Sequence, residues 1–198
     1  MSVLIWVLIG LCLVGSLAAV QGKSIAVLGM KGAGKTRFYR FLQNKPYSEG
    51  EDLETIQEQY RGFTYTKENG DEIYIRAGYD YGGAKDIAEK TNEKLIAESD
   101  TVFFIFDIHA YFTDKQYKED TNARLKFVID NIDNKEFYVL ASHVDLMKDS
   151  TIQNSRKDFE RYIAQQGYSN HIKQGNLALV NLTDAEGLKK VVDKLFNS

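Results

Sequence analysis

Gly29, Gly34, Lys35 and Thr36 have the types and spacing that phosphate chemistry requires. They belong to Gly-Met-Lys-Gly-Ala-Gly-Lys-Thr at Gly29–Thr36, which fits the phosphate-binding loop pattern G-x-x-x-x-G-K-[ST]. The glycines would let backbone N–H groups at Lys31, Gly32, Ala33 and Gly34 close around phosphate oxygens, with a helix N-terminus behind them. Lys35 would reach the β- and γ-phosphates and so take a catalytic role, and Thr36 would hold Mg²⁺ through its hydroxyl. Arg37 follows in the same first helical turn and joins the nucleotide-contacting set. The bland alternative is a glycine-rich turn without a ligand. The context argues against it: Ile25-Ala26-Val27-Leu28 precedes the loop as an apolar strand, and Arg37–Asn44 follows with helix formers.

The elements that must position this loop alternate along the chain. Lys45–Glu54 reads as a loop. Thr55–Arg61 and Phe63–Lys67 read as strand, Asn69-Gly70 as a hairpin turn, and Ile73–Tyr79 as the returning strand. Ala84–Ser99 reads as a helix, Thr101–Asp107 as a buried strand, and Thr113–Asn131 as one long helix. Phe137–Ala141 is a strand, Ile152–Gln166 a helix, Leu177–Leu182 the last strand and Glu186–Asn197 the last helix. The expected fold is α/β, with a mostly parallel six-stranded sheet, one antiparallel edge strand and helices on both faces. A ligand would sit outside the carboxyl ends of the strands.

The chain of 198 residues carries a net charge of −3, which gives no reason to expect nucleic-acid binding. Its one cysteine, Cys12, excludes a disulfide framework within the chain, and His109, His143 and His171 have no metal-ligand spacing. Val3–Val20 is a run of 18 residues without a charge. As a helix it would span about 27 Å against a hydrocarbon core of roughly 30 Å. It reads first as a membrane anchor. The alternatives are a cleaved signal peptide, suggested by Ser16-Leu17-Ala18-Ala19, and a buried core helix. The expected division is residues 1–22 as anchor and 23–198 as the loop-bearing domain. Lys23, Lys31, Lys35 and Arg37 follow the apolar run, which favours a single-pass arrangement with that domain in the cytoplasm.

From about Lys23 to Ser198 the order of elements and motifs resembles the small GTPases of the Ras and Arf kind. An apolar anchor joined directly to such a domain resembles the architecture of the signal recognition particle receptor β subunit. The likeness implies a P-loop NTPase fold, a guanine nucleotide (GTP or GDP) as ligand, and Mg²⁺ as cofactor. Thr55-Ile56-Gln57-Glu58-Gln59-Tyr60-Arg61 is similar to the first switch, whose threonine binds Mg²⁺. Asp80-Tyr81-Gly82-Gly83 is similar to the second, where Asp80 would meet Mg²⁺ through water and the Gly83 N–H would meet the γ-phosphate. Thr36, Thr55 and Asp80 would then supply protein oxygens to one octahedral ion. Asp107, at the end of an apolar strand, rivals Asp80 for that role, or else caps the next turn. Thr55 and Asp80 also have plain readings as cap and turn residues. Ser142-His143-Val144-Asp145 sits where the family carries its guanine-reading N-K-x-D, with Asp145 accepting from the base N1–H and amine. Asn181-Leu182-Thr183 sits at the weak S-A-K position, which brings Leu182 to the nucleotide.

The chain also departs from that family. Ser142 stands for asparagine, and its shorter hydroxyl leaves open whether it reaches the base or the glycine-rich loop. His143 stands for lysine, with an imidazole able to lie flat on a base. Lys31 stands where Ras-type members commonly carry glycine. Ala84 stands where Ras and Arf types place the glutamine that orients the attacking water. The expectation is a membrane-anchored GTP-binding switch with slow, Mg²⁺-dependent hydrolysis and a protein partner at the switch regions. A GTP-holding adaptor that hardly turns over, and an ATPase or kinase, are the alternatives.

Overall fold

The structure, a computed structural model, describes residues 22–45, 57–81, 88–173 and 175–197, with backbone alone at 57–59, 79–81 and 88–90. In chain order the elements are β1 (Ile25–Gly29), α1 (Lys35–Leu42), β2 (Gln57–Tyr60), β3 (Phe63–Thr66), β4 (Glu72–Ile75) and β5 (Gly78–Tyr81). Then come α2 (Ala88–Glu98), β6 (Thr101–Asp107), α3 (Ile108–Thr113), α4 (Lys115–Asn131), β7 (Glu136–Ser142), α5 (Asp149–Gln165), β8 (Leu177–Leu179) and α6 (Ala185–Leu195). Val3–Val20 lies outside the described residues. No helix among the described residues is long and apolar enough to cross a membrane.

Four strands form a parallel sheet in the order β1-β6-β7-β8. β6 lies inside it, and Thr101–Phe106 is buried along its whole length, as a strand covered on both faces must be. Side chains alternate across a strand, and Phe103 and Phe106 therefore meet different helices. Phe103 packs on Phe38 of α1 and on Phe196 just past α6, while Phe106 packs on Tyr111 of α3 and Phe159 of α5.

The hairpin forms two antiparallel ladders, β2–β5 and β3–β4, rather than the single edge strand expected. Tyr60 opposes Gly78 and Phe63 opposes Ile75, so one register runs through both ladders and the interruption lies at Arg61-Gly62 and Arg76-Ala77. Two aromatic rings lie across the glycines beside the break. A Cβ on Gly62 would sit 2.2 Å from the Tyr74 hydroxyl, and one on Gly78 would sit 2.5 Å from the Tyr60 hydroxyl. At the same level the chain entering β1 joins the hairpin. The Lys23 N–H donates to Tyr74 O (2.8 Å) and the Arg76 N–H donates to Lys23 O (2.9 Å). The Asn69-Gly70 turn closes with Gly70 in the left-handed region, φ 88°, and its N–H donates to Lys67 O at 3.1 Å.

Several element ends differ from the sequence expectation by a few residues, α5 for example starting at Asp149 rather than Ile152. The helix expected over Thr113–Asn131 is α4 and starts at Lys115, because Asp114 takes an extended backbone, φ −122° and ψ 114°, and caps it by accepting from the Tyr117 N–H. The short α3 before it is an addition to the expected elements. The strand expected to reach Leu182 ends at Leu179, since the Asn181 side chain turns back on the Thr183 N–H and hydroxyl.

The hairpin is also bolted to α6. The Tyr65 hydroxyl donates to buried Asp193 at 2.6 Å, and the Glu68 N–H donates to the other carboxylate oxygen at 2.7 Å. Burial, then the Asp193 contact, pushes the Tyr65 pKa well up. At the amino edge of the sheet Asp100 accepts from the Ser24 N–H, the Ser24 hydroxyl and Arg76. Partial burial opposes ionisation there, but those donors outweigh it and hold the Asp100 pKa below its ordinary value. Because the folded pKa is depressed, this stabilisation is full above the ordinary aspartate range and is lost as pH falls through the folded value. Asp100→Asn is expected to cost about 1 kcal/mol at pH 7, the side chain being half exposed. Urea titrations of both proteins should show that gap closing below about pH 4.

Candidate functional site

The glycine-rich loop leaves the sheet at a point that admits no side chain. Gly29 has φ 133°, and a Cβ there would lie 1.9 Å from the Ile105 carbonyl oxygen of the neighbouring strand. That oxygen instead accepts the Met30 N–H at 3.0 Å. The same peptide unit is held at its other end, where the Arg124 Nη1 of α4 donates to Gly29 O at 3.2 Å. Two further loop carbonyls are held by side chains. Lys35 Nζ donates to Met30 O at 2.8 Å, and the Ser142 hydroxyl lies 3.0 Å from Ala33 O. In a trans peptide the N–H points opposite to the C=O. Anchoring the Met30 and Ala33 carbonyls therefore directs the Lys31 and Gly34 N–H groups away from those anchors.

The loop ends on α1. Gly32 and Gly34 take left-handed φ values of 74° and 90°, which a glycine adopts without strain. Gly34 is the N-cap and brings no side chain to the helix N-terminus, and no acidic residue occupies the first turn. The electrostatics at this end favour an anion. Lys31 and Gly32 are exposed, Thr36 and Arg37 are half-buried, and Ala33 and Lys35 are buried.

β7 delivers the second part of the site. Ser142, its last residue, is fully buried and ties three groups together. Its oxygen lies 3.0 Å from Ala33 O, 3.0 Å from Phe106 O and 2.9 Å from His143 Nδ1. With its one proton turned to these carbonyls, the hydroxyl oxygen accepts from His143 when Nδ1 carries the imidazole proton. Asp107 Oδ2 lies 3.6 Å from the same Nδ1. Serine, histidine and aspartate thus meet without forming a nucleophilic triad. A triad needs the two ring nitrogens to face different partners and a serine open to substrate. Asp107 caps α3 through the Ala110 N–H at 2.9 Å, the plainer of its two sequence readings. His143 adopts a left-handed φ of 61°, which turns the chain into the short turn Val144–Leu146 and leaves Asp145 exposed.

The third part follows β8. A Cβ on Gly34 would lie 2.3 Å from Leu182 Cδ1, so the buried Leu182 side chain covers the end of the loop. The sheet ends therefore bring together Gly29–Arg37, Ser142 and Leu182, with His143 and Asp145 continuing from β7. Asp80 is in β5, with its backbone opposite Glu58. Thr55, Gly83 and Ala84 lie outside the described residues.

Sequence reasoning left one point open and missed another. Ser142 does reach the loop, because β6 alone separates its strand from β1. And Arg124 holds the loop from α4. Burial lowers its pKa, against the pull of Asp120 and Tyr117, but a guanidinium remains charged. Its signal was a basic residue on the helix face that also carries Thr121, Leu125 and Val128. Compared with known families and curated proteins, the chain matches no family model and no curated sequence.

Ser142→Ala leaves two buried carbonyls without this donor. A loss of about 1–3 kcal/mol is expected in chemical denaturation, with amide-exchange protection falling first across residues 30–34.

Proposed function

We propose that this chain is a guanine-nucleotide-binding protein of P-loop NTPase fold that hydrolyses GTP slowly with Mg²⁺ and acts as a membrane-anchored switch. The observation that carries this reading is the glycine-rich loop at the carboxyl edge of a parallel sheet, its carbonyls held by Arg124, Lys35 and Ser142. Phosphate oxygens would accept from the backbone N–H groups between Gly29 and Lys35, with Lys35 swinging from Met30 O to the β- and γ-phosphates. The hairpin and its bridge to Lys23 support a six-stranded reading of the sheet.

Thr36, Thr55 and Asp80 would hold the ion. No group of three His, Cys, Asp or Glu residues clusters among the described residues. An ion held by Thr36, Thr55 and Asp80 would rely on hydroxyl, carboxylate, water and phosphate oxygens, a hard-oxygen set that suits Mg²⁺. When bound, the ion would neutralise charge on the phosphates. Asp145 would read the base, with His143 beneath it and Leu182 alongside. Thr55 and Asp80–Gly83 would respond to the γ-phosphate and present the partner surface. Val3–Val20 would supply the anchor and leave the domain cytoplasmic. A cleaved signal peptide is the other use of that segment. Ala84 favours a second reading, an adaptor that holds GTP and recruits a partner without turnover, because alanine cannot orient water.

The test is binding of GTP, GDP, ATP and ADP to the full chain with Mg²⁺. Guanine nucleotides should bind preferentially, and Asp145→Asn should cut that preference by roughly 10–100-fold. Equal binding of ATP, indifferent to Asp145, would overturn the guanine reading in favour of an ATPase or kinase. Single-turnover hydrolysis then separates a slow GTPase from the adaptor.

A further inference from the structure

We infer that Arg124 is a positioning residue for phosphate binding, acting through the Gly29–Met30 peptide rather than by touching the ligand. The inference rests on the nucleotide-binding reading of the glycine-rich loop. Two facts single out this peptide. It is where the chain leaves the sheet, at a φ of 133° and with no room for a Cβ. It is also gripped from two directions, by the Ile105 carbonyl on the Met30 N–H and by the Arg124 guanidinium on the Gly29 carbonyl. With both ends held, the plane cannot rotate. The next peptide, whose carbonyl receives Lys35, starts from a fixed direction. Without Arg124 the plane keeps one grip, and the loop that follows starts from a spread of orientations.

α4 is built to deliver this contact. Tyr117, two turns before Arg124 on the same side of the helix, accepts the Asp107 N–H through its hydroxyl at 2.8 Å, and the Thr121 hydroxyl donates to Tyr117 O at 2.7 Å. Leu125 and Val128 bury the same side of the helix. α4 therefore grips the carboxyl ends of both β1 and β6, and Arg124 is its contact with the loop. The guanidinium offers several donors in a plane, so it can hold Gly29 O and still meet Asp120.

The test compares Arg124→Met, which keeps length and loses every donor, with Arg124→Lys, which keeps one charged donor. Lys126→Met, on the exposed face of α4, is the control. Affinity for GDP and GTP should fall roughly 10-fold in Arg124→Met. Arg124→Lys should recover part of that loss, and the control should match wild type. The guanine-over-adenine ratio should stay unchanged, since the base site is not involved. Phosphorus NMR of bound GDP should show a displaced β-phosphate resonance in Arg124→Met, a readout that a change in global stability would not move. Wild-type affinity in Arg124→Met, or an unmoved β-phosphate resonance, would overturn the inference. Failure of the wild-type chain to bind any nucleotide would instead overturn the reading beneath it.

Discussion

One carbonyl oxygen constrains the carboxyl edge of this protein. Ile105 O occupies the place where any side chain at position 29 would have to begin, 1.9 Å from it. Position 29 must therefore be glycine. Its φ of 133° lies outside the range that other residues adopt without cost. The chain turns out of the sheet there, and the same oxygen receives the next N–H. The rest of the loop inherits its direction from that turn, through carbonyls held successively by α4, α1 and β7. A six-residue excursion with three glycines would otherwise be an entropic liability. Here, donors from three elements hold its backbone.

The parts of the fold legible in the sequence were those set by local chemistry. Val102–Phe106 reads as a buried strand because a short unbroken run of β-branched and aromatic residues suits a strand covered on both faces. Asn69-Gly70 reads as a turn because glycine supplies the φ it needs. What stayed hidden depended on tertiary reach. Nothing local announces that Ile108–Thr113 would form a short helix ending at the Asp114 cap, since aspartate sits acceptably in a helix until a better cap conformation competes. Whether Ser142 reaches the loop stayed open because side-chain length alone does not decide it. The parallel registers of β1, β6 and β7 bring the backbone close enough for a hydroxyl. Arg124 was hidden because a charged residue on a helix is usually solvated, and only the packed fold reveals the carbonyl it faces.

The polar contacts divide between the two ends of the sheet. At the amino edge Lys23 pairs with Glu136, and Asp100 gathers Ser24 and Arg76. These pairs are partly exposed, and each contributes little. At the carboxyl edge the contacts are buried or part-buried and run mostly from side chain to backbone, where the loss of a donor is costly. The amino edge fastens strands to one another, and the carboxyl edge shapes a loop.

The interrupted hairpin has a mechanical consequence. Its turn end, β3 and β4, is fixed by Asp193, by the Lys23 bridge and by the Lys189 ammonium on Thr66 O. Its open end, β2 and β5, shares that register and is held where the buried Tyr60 ring lies against Tyr39 of α1. The ribbon is thus a beam supported at both ends. Bending concentrates at its unpaired middle, where two tyrosine rings lie over glycines in place of side chains.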